Sequence, residues 1–209
     1  MIKVECFEIS CNCYFVTDDK AEVALVVDPG EACPQLEKRI EEFGADKLKY
    51  ILLTHGHYDH IGNAAAMKKK YPNVKVVIGE NEENFTSDGM LNLSMFTGIY
   101  VEKFKPDILV KEGMEQDFGN EKIRVYETPG HTKGGVCYRI GDVMFTGDTL
   151  FYLSMGRTDF PTGSSQKIKE SLKKLAELDG NPDIYCGHGD KTTLEFERKN
   201  NPYMKDSLL

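Results

Sequence analysis

Residues 52–62 read LLTHGHYDHIG and place His55, His57, Asp59 and His60 within six positions, although the whole chain of 209 residues contains only five histidines. The stretch just before them, LKYILLT (48–54), is a short and almost continuous apolar run, the pattern of a buried strand. Three imidazoles and a carboxylate therefore leave a strand together, at the spacing of metal ligands. A chain with this feature needs a rigid sheet whose strand ends open onto a shared cleft.

The rest of the sequence repeats the setting. His131 lies in ETPGHTKGG, His188 in YCGHGD and Asp148 in FTGDTLF, each after a strand-like run and each next to glycine. Glycine at a strand end lets the backbone turn tightly and lets a neighbouring side chain point into a cleft. Taken singly, each is most simply a hydrogen-bonded histidine or a turn aspartate. Together, all five histidines occupy strand exits and none falls in a helix interior, which points to a metal site.

Histidine and carboxylate without a well-placed thiolate suit Zn, Fe, Mn or Ni. The number of ligands favours two divalent ions, zinc first, with iron or manganese as the alternatives. His55, His57 and His131 supply three nitrogens to one ion. Asp59, His60 and His188 supply a mixed set to the other, and Asp148 can bridge the two. Each ion keeps an open position for water, which marks a catalytic rather than a closed structural site. A chain of this length also needs no metal to fold.

Composition narrows the partners. The chain is 40% hydrophobic and 29% charged, with a net charge of −8, so nucleic acid is disfavoured. The N-terminal MIKVECFEISCNCYFV is too polar and too alternating for a signal peptide, and no run reaches the length of a membrane span. The expected location is cytoplasmic, and no membrane partner is expected. Of the six cysteines, Cys11 and Cys13 form a CxC that can in principle bind metal. Most sit in apolar runs, however, and are read as small buried hydrophobes in a reduced protein.

Strands are expected at 2–8, 12–17, 22–28, 48–54, 74–79, 122–128, 135–140, 142–146 and 183–186. Helices are expected at about 33–43, over IGNAAAMKKKY, from Ser164 or Ser165 to about 178, and from near Thr192 with a break at Pro202. Residues 80–110 read as irregular. Lys68, Lys69 and Lys70 are read as a solvated helix end. The order gives an α+β chain, a single domain over 1–209, with helices outside two packed sheets.

THGHYDH resembles the HxHxDH motif of the metallo-β-lactamase fold superfamily, and His131, Asp148 and His188 match its remaining ligand motifs in order. VVDPG, TPGHTKGGVCY, FTGDTLF, GRTDFPTGS and GHGDKTTLEFERKNNPYM are similar to the glyoxalase II-like hydrolases. The resemblance covers nearly the whole chain. It implies an αββα four-layer sandwich, two mixed β-sheets packed face to face, with a dinuclear site at one edge. It also implies attack of a metal-bridging hydroxide on a carbonyl, with Asp59 and Asp148 as the carboxylates serving catalysis. A thioester suits such a site, because its thiol, with a pKa of about 8.5, leaves without a dedicated acid.

In glyoxalase II a basic residue in the region of Arg157 lies near the metals, so Arg157 is a candidate for holding a substrate carboxylate or carbonyl. An ion pair with Asp159 is the equal alternative. Tyr152 and MLNLSMF are weaker candidates for lining the pocket. Full-length glyoxalase II carries a C-terminal helical domain that holds glutathione. This chain ends about twenty residues after His188, so a different small thioester or ester is an open expectation. The runner-up is a persulfide dioxygenase with one iron on His55, His131 and Asp148. A β-lactamase or another ester or amide hydrolase ranks lower.

Overall fold

The computed structural model describes residues 1–207; the last two residues of the expected 1–209 domain lie outside it. The first half of the chain builds one sheet. Strands β1 (Ile2–Glu8), β2 (Asn12–Asp18), β3 (Val23–Val27), β4 (Leu48–Leu52), β5 (Lys75–Gly79) and β6 (Ile108–Val110) lie side by side in chain order. The first three pair antiparallel and the rest parallel. The parallel β3–β4 pair needs a crossover, supplied by helix α1 (Pro34–Phe43). Cys33 caps α1 by accepting from Leu36 N–H, and Pro34 opens it where no backbone donor is needed.

The second half builds the other sheet from β7 (Glu115–Phe118), β8 (Glu121–Glu127), β9 (Val136–Ile140), β10 (Val143–Gly147), β13 (Asp183–Cys186) and β14 (Thr192–Thr193). It is antiparallel except where β10 pairs with β13, across a crossover that contains helix α5 (Ser165–Ala176). Ser164 caps α5 through Lys167 N–H, as its sequence predicts. A small hairpin, β11 (Leu150–Phe151) with β12 (Ser154–Met155), stands apart.

Side-chain alternation along the strands sorts residues into three apolar layers. Tyr14, Val16, Leu25, Val27, Leu52 and Val77 face Val125, Val136, Tyr138 and Phe145 between the sheets. On the other face of the first sheet, Phe15, Val26 and Ile51 pack against Leu36, Ile40, Ala64 and Met67. On the outer face of the second sheet, Cys137, Met144 and Ile184 meet Leu172, Leu175, Leu194 and Met204. Helix, sheet, sheet and helix are thus the four layers, in two mixed sheets as expected. Cys11, Cys13, Cys33, Cys137 and Cys186 are buried, and all six cysteines are free thiols. No described helix is long and apolar enough to cross a membrane.

Two departures from the sequence reading have local causes, while the C-terminal helix keeps the expected start and break. The helix expected from residue 61 is two pieces, α2 (Tyr58–Ile61) and α3 (Ala64–Lys70). Asn63 N–H turns away to Pro29 O at 2.9 Å, and a Cβ on Gly62 would come within 2.3 Å of Gly30 O. The 80–110 stretch holds a 3-10 helix (Glu80–Thr86), the single helical turn α4 (Ser94–Thr97) and the edge strand β6, each too short to show a period. The C-terminal helix begins after Thr193 as α6 (Leu194–Asn200), and Pro202 restarts the chain as α7 (Pro202–Ser207).

Candidate active site

Four strand exits meet at one end of the sandwich. The turn after β4 carries His55 and His57, and the single helical turn α2 that follows carries Asp59 and His60. His60 is thus helical, although the sequence reading puts every histidine at a strand exit. The turns after β8, β10 and β13 carry His131, Asp148 and His188. The seven side chains form one cluster. Donor atoms of His55, His57 and His131 lie within 4.8 Å of one another, as do those of Asp59, His60 and His188, and those of His55, His60 and Asp148.

Ring nitrogens of the cluster approach one another closely, and some donor atoms have no partner at all. His131 Nε2 is 2.9 Å from His57 Nδ1, and His60 Nε2 is 3.4 Å from His188 Nε2. Asp148 stands between the sets, with Oδ1 3.4 Å from His60 Nε2 and Oδ2 3.4 Å from His131 Nε2. His55 Nε2, His57 Nε2 and Asp148 Oδ1 are buried with no hydrogen-bond partner. Orphaned buried polar atoms are costly, and lone pairs converging from imidazole and carboxylate are what a divalent ion satisfies. The donor set fits metal.

The protonation states agree. Burial holds His55 well below the ordinary imidazole value, takes His57 down to about 3 and lowers His131, so all three are neutral. Burial also works against the charge of Asp148, yet His60, His131 and His188 around it hold its carboxyl below the usual range. Burial likewise opposes ionisation of Asp59, but His188 and His60 keep it low. The hydrogen bond to Asp59 raises His188. His60 is raised as well: burial opposes its charge, but Cys11, Asp148 and Asp28 outweigh it. Both shifts favour a proton on these two rings, opposite to the other three.

Residues behind the cluster aim the rings. The buried Asp28 carboxylate accepts from Thr54 N–H at 2.8 Å and Thr54 O–H at 2.6 Å, and His60 Nδ1 lies 2.9 Å from its Oδ2. His55 Nδ1 is 3.1 Å from Thr54 Oγ1, whose proton is committed to Asp28, so the ring donates and leaves Nε2 unprotonated. Asp28 reaches this position with φ of 50°, a left-handed conformation rare outside glycine. Its side-chain bonds to the following strand exit are what hold it there. His131 Nδ1 sits 2.8 Å from the backbone O of Arg157, which turns Nε2 toward the cluster.

Glu82 joins two of the strand exits. Its carboxylate accepts from Gly56 N–H and Gly134 N–H, both at 2.8 Å, tying the His55–His57 turn to the segment after His131. Burial pushes this carboxyl up to about 7 despite those donors. Neither Asp28 nor Glu82 is recognisable as a site residue from sequence alone. Asp28 reads as the start of a turn, and Glu82 falls in the irregular stretch. The one available signal is Asp28 itself, an acid placed directly at the end of an apolar strand.

The cluster lies on one side of a cavity of about 780 Å³, otherwise walled by Tyr58, Leu93, Phe96, Phe151, Met155 and Phe160 among others. Leu93 and Phe96 come from the MLNLSMF stretch. Arg157 reaches this cavity, with its guanidinium bidentate on Asp159 at 2.7 and 2.6 Å and stacked 4.0 Å from the Phe160 ring centre. The ion-pair alternative is thus the one the side chain adopts. Tyr152 is not among the cavity's lining residues. It stacks on Phe196 at 5.4 Å, 46% exposed, because hairpin β11–β12 turns it outward.

This αββα sandwich with a histidine–aspartate cluster at its edge belongs to the metallo-β-lactamase superfamily, whose family profile matches residues 7–188. Among its relatives, the probable metallo-hydrolase YqgX of Bacillus subtilis is 34% identical over 205 residues, covering 96% of this chain and 95% of that one. The hydroxyacylglutathione hydrolase GloC of Haemophilus influenzae is 34% identical over 198 residues, 92% of each chain. Among solved structures, the BLEG-1 B3 metallo-β-lactamase superposes with a TM-score of 0.87 at 31% identity, over 98% of this chain and 99% of that one. TTHA1623 in a di-iron-bound form gives 0.81 at 29% identity, over 96% of this chain and 99% of that one. The chain is a metallo-hydrolase of this superfamily.

Proposed function

We propose that the chain hydrolyses a small thioester at a dinuclear metal site. The observation that carries this reading is that all five histidines of the chain are gathered in the ligand cluster. No imidazole is left to protonate a leaving group. Tyr58, the phenol lining the cavity, has its pKa raised by burial and is a poor acid. An amide or an alkyl ester needs its leaving group protonated; a thiolate does not, since a thiol pKa is about 8.5. The likeness to GloC points the same way.

His55, His57 and His131 would hold one divalent ion, and Asp59, His60 and His188 the other, with Asp148 between them. Such ions, when bound, supply a hydroxide nucleophile at neutral pH and Lewis acidity toward a carbonyl. The chain's own part is to aim the rings, through Asp28, Thr54 and the Arg157 carbonyl. The apolar walls exclude water around the thioester. The likeness to TTHA1623 in its di-iron-bound form keeps iron a candidate beside zinc, which the histidine and carboxylate donors also suit. Six free thiols suit the reducing cytoplasm.

A persulfide dioxygenase would need only His55, His131 and Asp148, and would leave the Asp59–His60–His188 set without a purpose. Metal analysis of purified protein, beside assays with S-D-lactoylglutathione, other thioesters and glutathione persulfide, separates the two. Two metals per chain and thiol release are expected. One iron per chain with oxygen uptake and sulfite production would overturn the hydrolase reading.

A further inference from the structure

The cavity wall says what kind of thioester fits. Beyond the ligand cluster, the lining is dominated by Leu93, Phe96, Phe151, Met155, Phe160 and Pro161, and Arg157 is the one lysine or arginine in it. That guanidinium already spends its two-pronged face on Asp159 and its flat face on Phe160. The other titratable groups lining the cavity besides Tyr58 are His57, Asp59, His131, Asp148 and His188, all members of the ligand cluster and committed there, so none stands along the apolar wall. A glutathione conjugate brings two carboxylates, which need cationic or multiple N–H partners once they leave water. This lining offers apolar surface where those partners would have to stand.

The apolar surface also continues out of the cavity. Phe96, which lines the cavity, is 63% exposed, and on the same segment Met95 is 66% and Ile99 51% exposed. They sit on a short irregular segment in which Leu93 and Gly98 both take left-handed backbone conformations on either side of the single turn Ser94–Thr97. An apolar segment carried at the rim of a catalytic cavity is a surface for the part of a substrate that extends beyond the reacting carbonyl.

Building on the thioesterase reading, we infer that the preferred substrate carries an uncharged, apolar arm on its thioester, lying along Leu93, Phe96, Phe151 and Phe160, and that Phe96 sets this selectivity. The arm belongs either to the acyl group or to the thiol; the recognising surface is the same.

Two substrate series test it on the metal-loaded, full-length protein. In one, acyl chains from acetyl to octanoyl are placed on N-acetylcysteamine, a thiol without carboxylates. In the other, the acetyl group is fixed and the alkyl thiol is lengthened. Thiol release gives kcat/KM. The expected result is a rise of about fourfold per added methylene in one of the series. Phe96→Ala should cut the octanoyl-to-acetyl ratio, or its counterpart in the thiol series, by about tenfold. Calorimetric titration with an uncleavable octyl thioether of N-acetylcysteamine should show tighter binding than S-methylglutathione. Flat series with S-D-lactoylglutathione as the best substrate would overturn the inference and leave the hydrolase reading standing. Failure to cleave any thioester would overturn both.

Discussion

Asp28 and His60 are 32 residues apart, yet the Asp28 carboxylate lies 2.9 Å from His60 Nδ1, and both side chains are buried. Through Thr54 the same carboxylate also fixes His55. One acid therefore aims a ring in each of the two ligand sets. Asp28→Asn offers a single carbonyl oxygen to three donors and turns an amide N–H toward at least one of them. Metal affinity, measured by competition with a chromophoric chelator, should fall about 10–100-fold, with the fold retained by circular dichroism. Unchanged affinity would remove Asp28 from the site's construction.

Asp148→Ala deletes the carboxylate that stands between the sets. Elemental analysis should then find fewer than two metals per chain, and thioester turnover should be lost. Two retained metals with activity would show that Asp148 does not join the ions.

Much of the site is legible in the sequence, because each ligand announces itself locally. His55, His131 and His188 each follow a strand and touch a glycine, and the HxHxDH spacing needs no tertiary information. Their support is different in kind. Asp28 looks like a turn residue until β3 and β4 pair in parallel and bring its carboxylate beside the β4 exit. Glu82 sits in a 3-10 segment with no period, and its two partners are backbone N–H groups that any residue would supply. Tyr152 is hard to place for a comparable reason: it lies in the turn between β11 and β12, and its direction is decided by the hairpin and by Phe196, far along the chain.

Metal uptake should release protons. His60 and His188 are raised above the ordinary imidazole value, and a ligating imidazole must be neutral. The sign follows directly. Above the raised values no proton has to leave, and apparent affinity is at its highest. As pH falls through them, the ion held by Asp59, His60 and His188 must displace protons and its affinity drops. Calorimetric titrations at neutral pH, repeated in buffers of different ionisation enthalpy, should give a positive number of protons released. A value of zero would refute this.

Glu82→Gln keeps the shape but leaves one oxygen where two backbone N–H groups need an acceptor. A cost of about 1–3 kcal/mol is expected. In a chain of this size, that corresponds to a loss of roughly 2–10 °C in Tm, read by differential scanning calorimetry on metal-free protein. An unchanged Tm would mean the two bonds contribute nothing to the fold.

The two sheets come from successive halves of the chain, and each ligand set draws on both. His55 and His57 belong to the first half and His131 to the second; Asp59 and His60 belong to the first and His188 to the second. Neither half alone supplies a full ligand set, so the site comes into being only when the apolar faces of the two sheets have closed on each other, and the metal-binding power of this protein is a readout of that closure.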